Sequence, residues 1–253
     1  MAITTLIFDV DGTLADTERD GHRVAYNQAF AEAGLDWEWT VALYGELLQV
    51  TGGKERMRFY VERYRHDFQG RPDLDRLIAD LYVAKTRFFA DLVDACGIPL
   101  RPGVLRLLRE ARAAGLRLAI ATTTNPHNVR ALMESNLGAG GCDWFACIGA
   151  GDIVPSKKPA PDIYLYVMER LGVSPRECFG FEDSHAGVRA ARAAGIPVLV
   201  TVNEYTVGQD FSGARLVLDH LGEPDRPFTV LAGNVGRASL VDVALLRSLS
   251  RGG

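Results

Sequence analysis

Two carboxylates stand two residues apart in Phe8-Asp9-Val10-Asp11-Gly12-Thr13, at the end of the short apolar run Thr4 to Val10. An ionised carboxylate beside an apolar core is costly unless a cation or a metal offsets it, so Asp9 and Asp11 require a positive partner. A second acidic pair, Glu182-Asp183, follows Cys178-Phe179-Gly180-Phe181. If the fold lays these two run ends side by side, four acidic groups meet, and Mg2+ is the hard, oxygen-bound cation that suits them. The run Leu116 to Thr123 ends in hydroxyls, Thr122, Thr123 and Thr124, followed by Asn125-Pro126. Hydroxyls and free backbone N–H groups at a helix start can hold an anionic oxygen such as a phosphate's. Lys158, locked before Pro159, can balance the clustered negative charge. Each piece has a plain structural alternative: an N-cap or turn for Asp9 and Asp11, a helix cap for Glu182-Asp183, capping by Thr124 or Asn125, and a turn around Lys158. Their joint presence favours chemistry.

These residues need elements to hold them. Further apolar runs at Trp144–Gly149, Glu177–Phe181, Ile196–Val202 and Leu216–Leu218 alternate with helical patterns at Val104, Leu107, Leu108 and Ala111, at Ile163, Val167 and Leu171, and at Val188 and Ala191. Strand alternating with helix predicts an α/β fold, a Rossmann-like doubly wound parallel sheet, whose ligand crevice lies at the carboxyl ends of the strands. From Thr17 to Ala95 only helical periodicity is found, which predicts an inserted helical cap domain over residues 17–95 between core segments 1–16 and 96–253. Gly97-Ile98-Pro99-Leu100-Arg101-Pro102-Gly103 reads as one hinge. The tail after Glu223 is weakly patterned.

The insertion carries its own candidates. Thr51-Gly52-Gly53-Lys54-Glu55-Arg56 superficially resembles a phosphate-binding P-loop, yet Leu48 stands where the first Gly belongs and Glu55 replaces the Ser/Thr. Two glycines opening a helix, with Lys54 and Arg56 in its first turn, still suit the second phosphate of a substrate; a solvated helix start is the alternative. Glu18 and His22, at the hinge, suit sugar hydroxyls or a helix cap. Leu74, Leu77, Leu81, Phe88 and Leu92 gather on one helix face with Lys85 among them. Its ammonium either snorkels to water or points to the substrate or to a cap carboxylate that orients it.

Composition narrows the classes. The chain has 253 residues, 47% hydrophobic and 24% charged, which excludes disorder, collagen-like repeats and coiled coils. Lys plus Arg number 28 and Asp plus Glu 32, a net charge of −4 with no basic block, so no nucleic-acid partner is expected. Cys96, Cys142, Cys147 and Cys178 form no Cys-x-x-Cys or zinc spacing and read as small hydrophobes in a reduced compartment. With no signal-like leader and no membrane-length apolar run, no membrane association and a cytoplasmic monomer are expected.

Taken in order, Asp9-x-Asp11-Gly12-Thr13, Thr122, Lys158 and Glu182-Asp183 resemble the four motifs of the haloacid-dehalogenase superfamily. The helical insertion after the first motif resembles the cap of β-phosphoglucomutase-like members. More narrowly, Thr13-Leu14-Ala15-Asp16-Thr17-Glu18, Trp37-Glu38-Trp39, Thr51 to Arg56, Ala84-Lys85-Thr86 and Ala121 to Thr124 resemble the CbbY group, which hydrolyses xylulose-1,5-bisphosphate, an inhibitor of Rubisco, to xylulose 5-phosphate. The resemblance implies a Mg2+-dependent phosphatase with Asp9 as nucleophile and Asp11 as general acid/base. It assigns the metal to the side chains of Asp9 and Asp183 and the backbone carbonyl of Asp11, with Glu182 nearby. Thr122 and Lys158 would hold the transferring phosphoryl group. The same scaffold serves phosphosugar mutases, and a silent sugar-phosphate-binding protein is the alternative of a different class.

Overall fold

The computed structural model describes residues 3–251, apart from the side chains of Cys96 and Arg251. The outermost residues of the expected core, and the expectation for Cys96, lie outside the described residues. Six strands run parallel in the order β3-β2-β1-β4-β5-β6: β1 (Thr5–Phe8), β2 (Arg117–Thr122), β3 (Phe145–Ala150), β4 (Cys178–Glu182), β5 (Val198–Thr201) and β6 (Leu216–Leu218). The expected sheet is therefore present, with one addition. β7 (Val230–Gly233), from the weakly patterned tail, pairs antiparallel with β6 as an exposed edge.

Side chains alternate across this sheet, as a pleated strand requires. Leu6 and Phe8 of β1 pack with α5 (Val104–Ala113), α6 (Pro126–Leu137) and α9 (Val243–Arg251) on one face. Ile7 packs with α7 (Asp162–Leu171) and α8 (His185–Ala193) on the other. Both faces are covered, which explains why the strands read as continuous apolar runs. Phe8 is in register with both Ile120 of β2 and Phe181 of β4, so the residues that follow these strands emerge together.

Between β1 and α5 the chain forms a five-residue π-turn (Glu18–His22) leading into α1 (Arg23–Glu32), then α2 (Val41–Leu47), α3 (Gly53–Tyr64) and α4 (Leu74–Cys96). Tyr26, Phe30, Trp37, Trp39, Tyr44 and Tyr60 build an aromatic core of their own, separate from the two faces of the sheet. α2 had no clear periodic signal, being short and anchored by Tyr44 and Leu47. The fully buried line of α4 is Ile78, Leu81, Lys85, Phe89 and Val93; Leu74, Leu77, Phe88 and Leu92 lie half-buried beside it. Among the described residues no helix is long and apolar enough to cross a membrane.

Candidate active site

The register of β1 and β4 sets Asp9 beside Glu182, with the Asp9 backbone N–H bonded to the carbonyl of Phe181 at 3.0 Å. Lys158, in the loop before α7, reaches between them: its Nζ is 2.7 Å from Asp9 Oδ1 and 2.6 Å from Glu182 Oε1. All three are buried, as is Asp183. Burial pushes the Asp9 carboxyl up to about 7, although Lys158 pulls it down. Burial also raises Asp183 well above the carboxylate range, reinforced by Asp9 and Glu182. Burial alone would lower the Lys158 ammonium, but its two carboxylate partners hold it above its ordinary value.

Single oxygens from Asp9, Glu182 and Asp183 lie within 4.8 Å of one another. Glu182 Oε1 accepts from Lys158 and from the Tyr164 hydroxyl at 2.5 Å, whereas Oε2 is buried with no hydrogen-bond partner. An orphaned buried carboxylate oxygen within a repulsive cluster is what an oxygen-loving cation would complete, so this donor set can hold a metal ion. Asp183 Oδ2 accepts from Asn203 at 2.7 Å and occupies the space where Gly12, at φ +81°, would carry a Cβ.

The Asp11 carboxylate faces away from that group. Its Oδ1 accepts from Thr17 Oγ1 at 2.5 Å and lies 2.9 Å from His22 Nε2, while Oδ2 accepts from Thr124 Oγ1. Burial would raise Asp11, yet His22, Thr17 and Lys85 outweigh it and hold the carboxyl below its ordinary value. Two neighbouring aspartates therefore have opposite electrostatic settings: Asp9 is shifted up and Asp11 down. Thr17, just before the π-turn, and His22, its last residue, both reach the same Asp11 oxygen.

A cleft of about 340 Å³ opens over this floor, lined by Asp9, Asp11, Thr122, Thr123, Lys158 and Asp183 from the sheet side and by Glu18, Gly52 and Arg56 from the helices. Glu18 accepts from the Tyr44 hydroxyl, which in turn accepts from Arg56 Nη1 at 3.0 Å. Arg56 is buried with its guanidinium 5.3 Å from the Tyr44 ring. Gly53 admits no side chain, since a Cβ there would strike the Tyr26 hydroxyl and the Tyr82 ring.

Not every expected residue arrives. Lys54 points outward to Asp152, 3.8 Å away, and Glu55 pairs with Lys157 at 2.7 Å, so both join an ion-pair group at the rim. The Asn125 side chain accepts from His127 N as the cap of α6, and with Thr124 it lines a smaller pocket next to the cleft. Lys85 does not snorkel, being only 4% exposed, and its partner is an imidazole, not a carboxylate: Nζ lies 2.8 Å from His22 Nδ1. No sequence signal marks Tyr44, Tyr164 or Asn203, since their residue types indicate only packing or a loop until their partners are known.

The family model of haloacid dehalogenase-like hydrolases matches residues 3–195. The chain is 51% identical over 225 residues to Protein CbbY of Cupriavidus necator, covering 88% of this chain and 87% of the relative. It is 49% identical to Protein CbbY of Rhodobacter capsulatus, covering 85% and 92%. A crystal structure of a mutant CbbY from Rhodobacter sphaeroides in complex with xylulose-(1,5)bisphosphate superposes with a TM-score of 0.81 at 44% identity, covering 86% and 94%. With the fold, the buried acidic floor and these likenesses together, the chain belongs to the haloacid dehalogenase-like hydrolase family, and it is a phosphatase.

Proposed function

We propose that the chain is a Mg2+-dependent phosphatase of sugar bisphosphates, with xylulose-1,5-bisphosphate its best substrate. One observation carries the reading: the Lys158 ammonium, 2.7 Å from Asp9 Oδ1, lies over a carboxylate that opens onto a cleft where the buried Arg56 offers a second anion-binding group. The mutant CbbY of Rhodobacter sphaeroides in complex with that bisphosphate supports the substrate class.

Asp9, Glu182 and Asp183 are the side chains that would hold Mg2+, which when bound offsets the charge of the carboxylates and the phosphoryl oxygens. Asp9 attacks phosphorus as its carboxylate, forming an aspartyl-phosphate and splitting one hard displacement into two easier ones. Lys158 supplies positive charge to the transferring group, and Thr122 hydrogen-bonds it. Asp11 gives a proton to the departing sugar oxygen, then takes one from the attacking water. The free site holds Asp11 as a carboxylate below its ordinary value, so it takes up its proton from solvent as the phosphate's negative charge enters the cleft, while His22 Nε2, Thr17 and Thr124 hold the group in place. Glu18 and the Arg56 guanidinium hold the far end of the sugar. The helical segment 17–95 acts as the cap that excludes water.

The deciding experiment is phosphate release from a panel of sugar mono- and bisphosphates with and without Mg2+. Faster turnover of a ketose bisphosphate than of any monophosphate is expected. Equal rates across the panel would overturn the assignment to bisphosphates.

A further inference from the structure

Arg101 lies in the return linker, outside the cleft and outside every motif that signalled chemistry, yet it is buried to 8% exposure. Its guanidinium collects an unusual set of acceptors. Nη1 donates to the carbonyl of Gly12, to the carbonyl of Thr201 at 3.0 Å and to Thr201 Oγ1 at 3.2 Å. Nη2 donates to the carbonyls of Val202 at 2.5 Å and Asp219 at 2.8 Å. Nε faces Asp16 Oδ1 at 3.3 Å, and the backbone N–H of Arg101 bonds the carbonyl of Leu14 at 2.8 Å.

The sheet order gives these contacts their meaning. Gly12 follows β1, Thr201 ends β5 with Val202 directly after it, and Asp219 follows β6, whereas Asp183 follows β4, which lies between β1 and β5. One planar fork therefore spans the end of β4 and ties the loops on both sides of it. Two of the tied loops touch Asp183: Gly12 is the residue whose missing Cβ leaves room for Asp183 Oδ2, and Asn203, next to Val202, donates to that oxygen. Carbonyls at the carboxyl end of a parallel sheet have no ladder partner, and a guanidinium, with five donors spread over a planar fork, reaches acceptors on separate strand ends that an ammonium's three donors on one atom do not span.

We propose that Arg101 is a positioning residue for the acidic floor: it brackets Asp183 by fixing the Gly12 turn and the Val202–Asn203 loop at a set separation. The metal readout below rests on the reading of Asp9, Glu182 and Asp183 as Mg2+ ligands.

Arg106 provides the internal control. It too caps backbone carbonyls, donating to Leu221, Gly222 and Val241, but these bonds reach neither the Gly12 turn nor the Val202–Asn203 loop. Arg101→Lys and Arg106→Lys should both lower Tm. Only Arg101→Lys should weaken Mg2+ binding in calorimetry and lower kcat on p-nitrophenyl phosphate, by roughly 10- to 100-fold, the range for partners that orient metal ligands. Mg2+ affinity and kcat within about twofold of wild type in a folded Arg101→Lys would overturn the proposal, as would equal losses in Arg106→Lys. Should Arg101→Lys not fold, the wild-type Nη signals of Arg101 decide by NMR: Mg2+ should shift them and leave those of Arg106 in place, and no shift overturns the proposal. If the wild-type chain itself binds no Mg2+, the metal reading fails, and the kcat comparison of the two folded variants, or without a folded Arg101→Lys the response of its Nη signals to inorganic phosphate, judges Arg101.

Discussion

Lys85 Nζ lies 2.8 Å from Nδ1 of His22, and Nε2 of the same ring lies 2.9 Å from Asp11 Oδ1. An ammonium has donors only, so it fixes Nδ1 as the acceptor and leaves the ring proton on Nε2, facing Asp11. A buried cation on α4 thereby sets the tautomer that serves a carboxylate 74 positions earlier in the chain.

A pH profile follows from this pair. Burial lowers the Lys85 ammonium to about 8, against the pull of Asp11 and Glu18. As pH rises through about 8 the proton is lost and Nδ1 is no longer held bare. Turnover of a sugar phosphate should fall on that limb, and Lys85→Met should give a lower, flatter profile. The same alkaline step in the variant would remove Lys85 from the arrangement.

Stability carries the opposite sign. A lysine whose folded pKa is depressed destabilises the fold below that value, and the penalty fades as pH rises from about 8 toward the unfolded pKa of roughly 10.4. Lys85→Met should therefore raise Tm at pH 7, by up to the order of 3 kcal/mol in stability, and the gain should shrink above pH 8. Thermal melts of both proteins across that range test it.

Asp9→Asn should abolish phosphoenzyme, read by trapping labelled phosphate on the protein. Asp11→Asn should slow hydrolysis of sugar phosphates by roughly 100-fold or more and that of p-nitrophenyl phosphate less, because p-nitrophenolate leaves without a proton. Equal losses on both substrates would exclude Asp11 as the acid.

Removing metal should stop turnover, and Mg2+ should restore it, since Asp9, Glu182 and Asp183 repel one another in a buried site. Mg2+ binding to the folded state alone should also raise Tm. In Asp183→Asn that rise should be largely lost. Full activity in excess chelator would contradict the metal reading.

Arg56→Lys keeps the charge but loses the fork that bonds Tyr44 and faces the cleft. KM for a sugar bisphosphate should rise roughly 10- to 100-fold, the equivalent of about 1.5–3 kcal/mol for hydrogen bonds to a charged group. KM for p-nitrophenyl phosphate, which has no second phosphate, should change little.

The sequence by itself determined the α/β class, the helical insertion and the acidic floor. Strand runs and helical stripes report which face of each element is apolar, and charges at the ends of buried strands stand out because burial makes them costly. Only the tertiary structure decided who meets whom. Lys158 reaches Asp9 across 149 positions, and Arg101 reaches Gly12 across 89. Tyr44 and Tyr164 read as core until their hydroxyls are seen on Glu18 and Glu182. Lys54 and Arg56 share the first turn of α3, yet one turns to Asp152 at the rim and the other into the cleft. Periodicity fixes a residue's direction relative to its own helix axis, whereas its partner depends on how strands and helices cross. That crossing is set by the summed packing of the sheet faces and the aromatic core, which no local window of sequence contains.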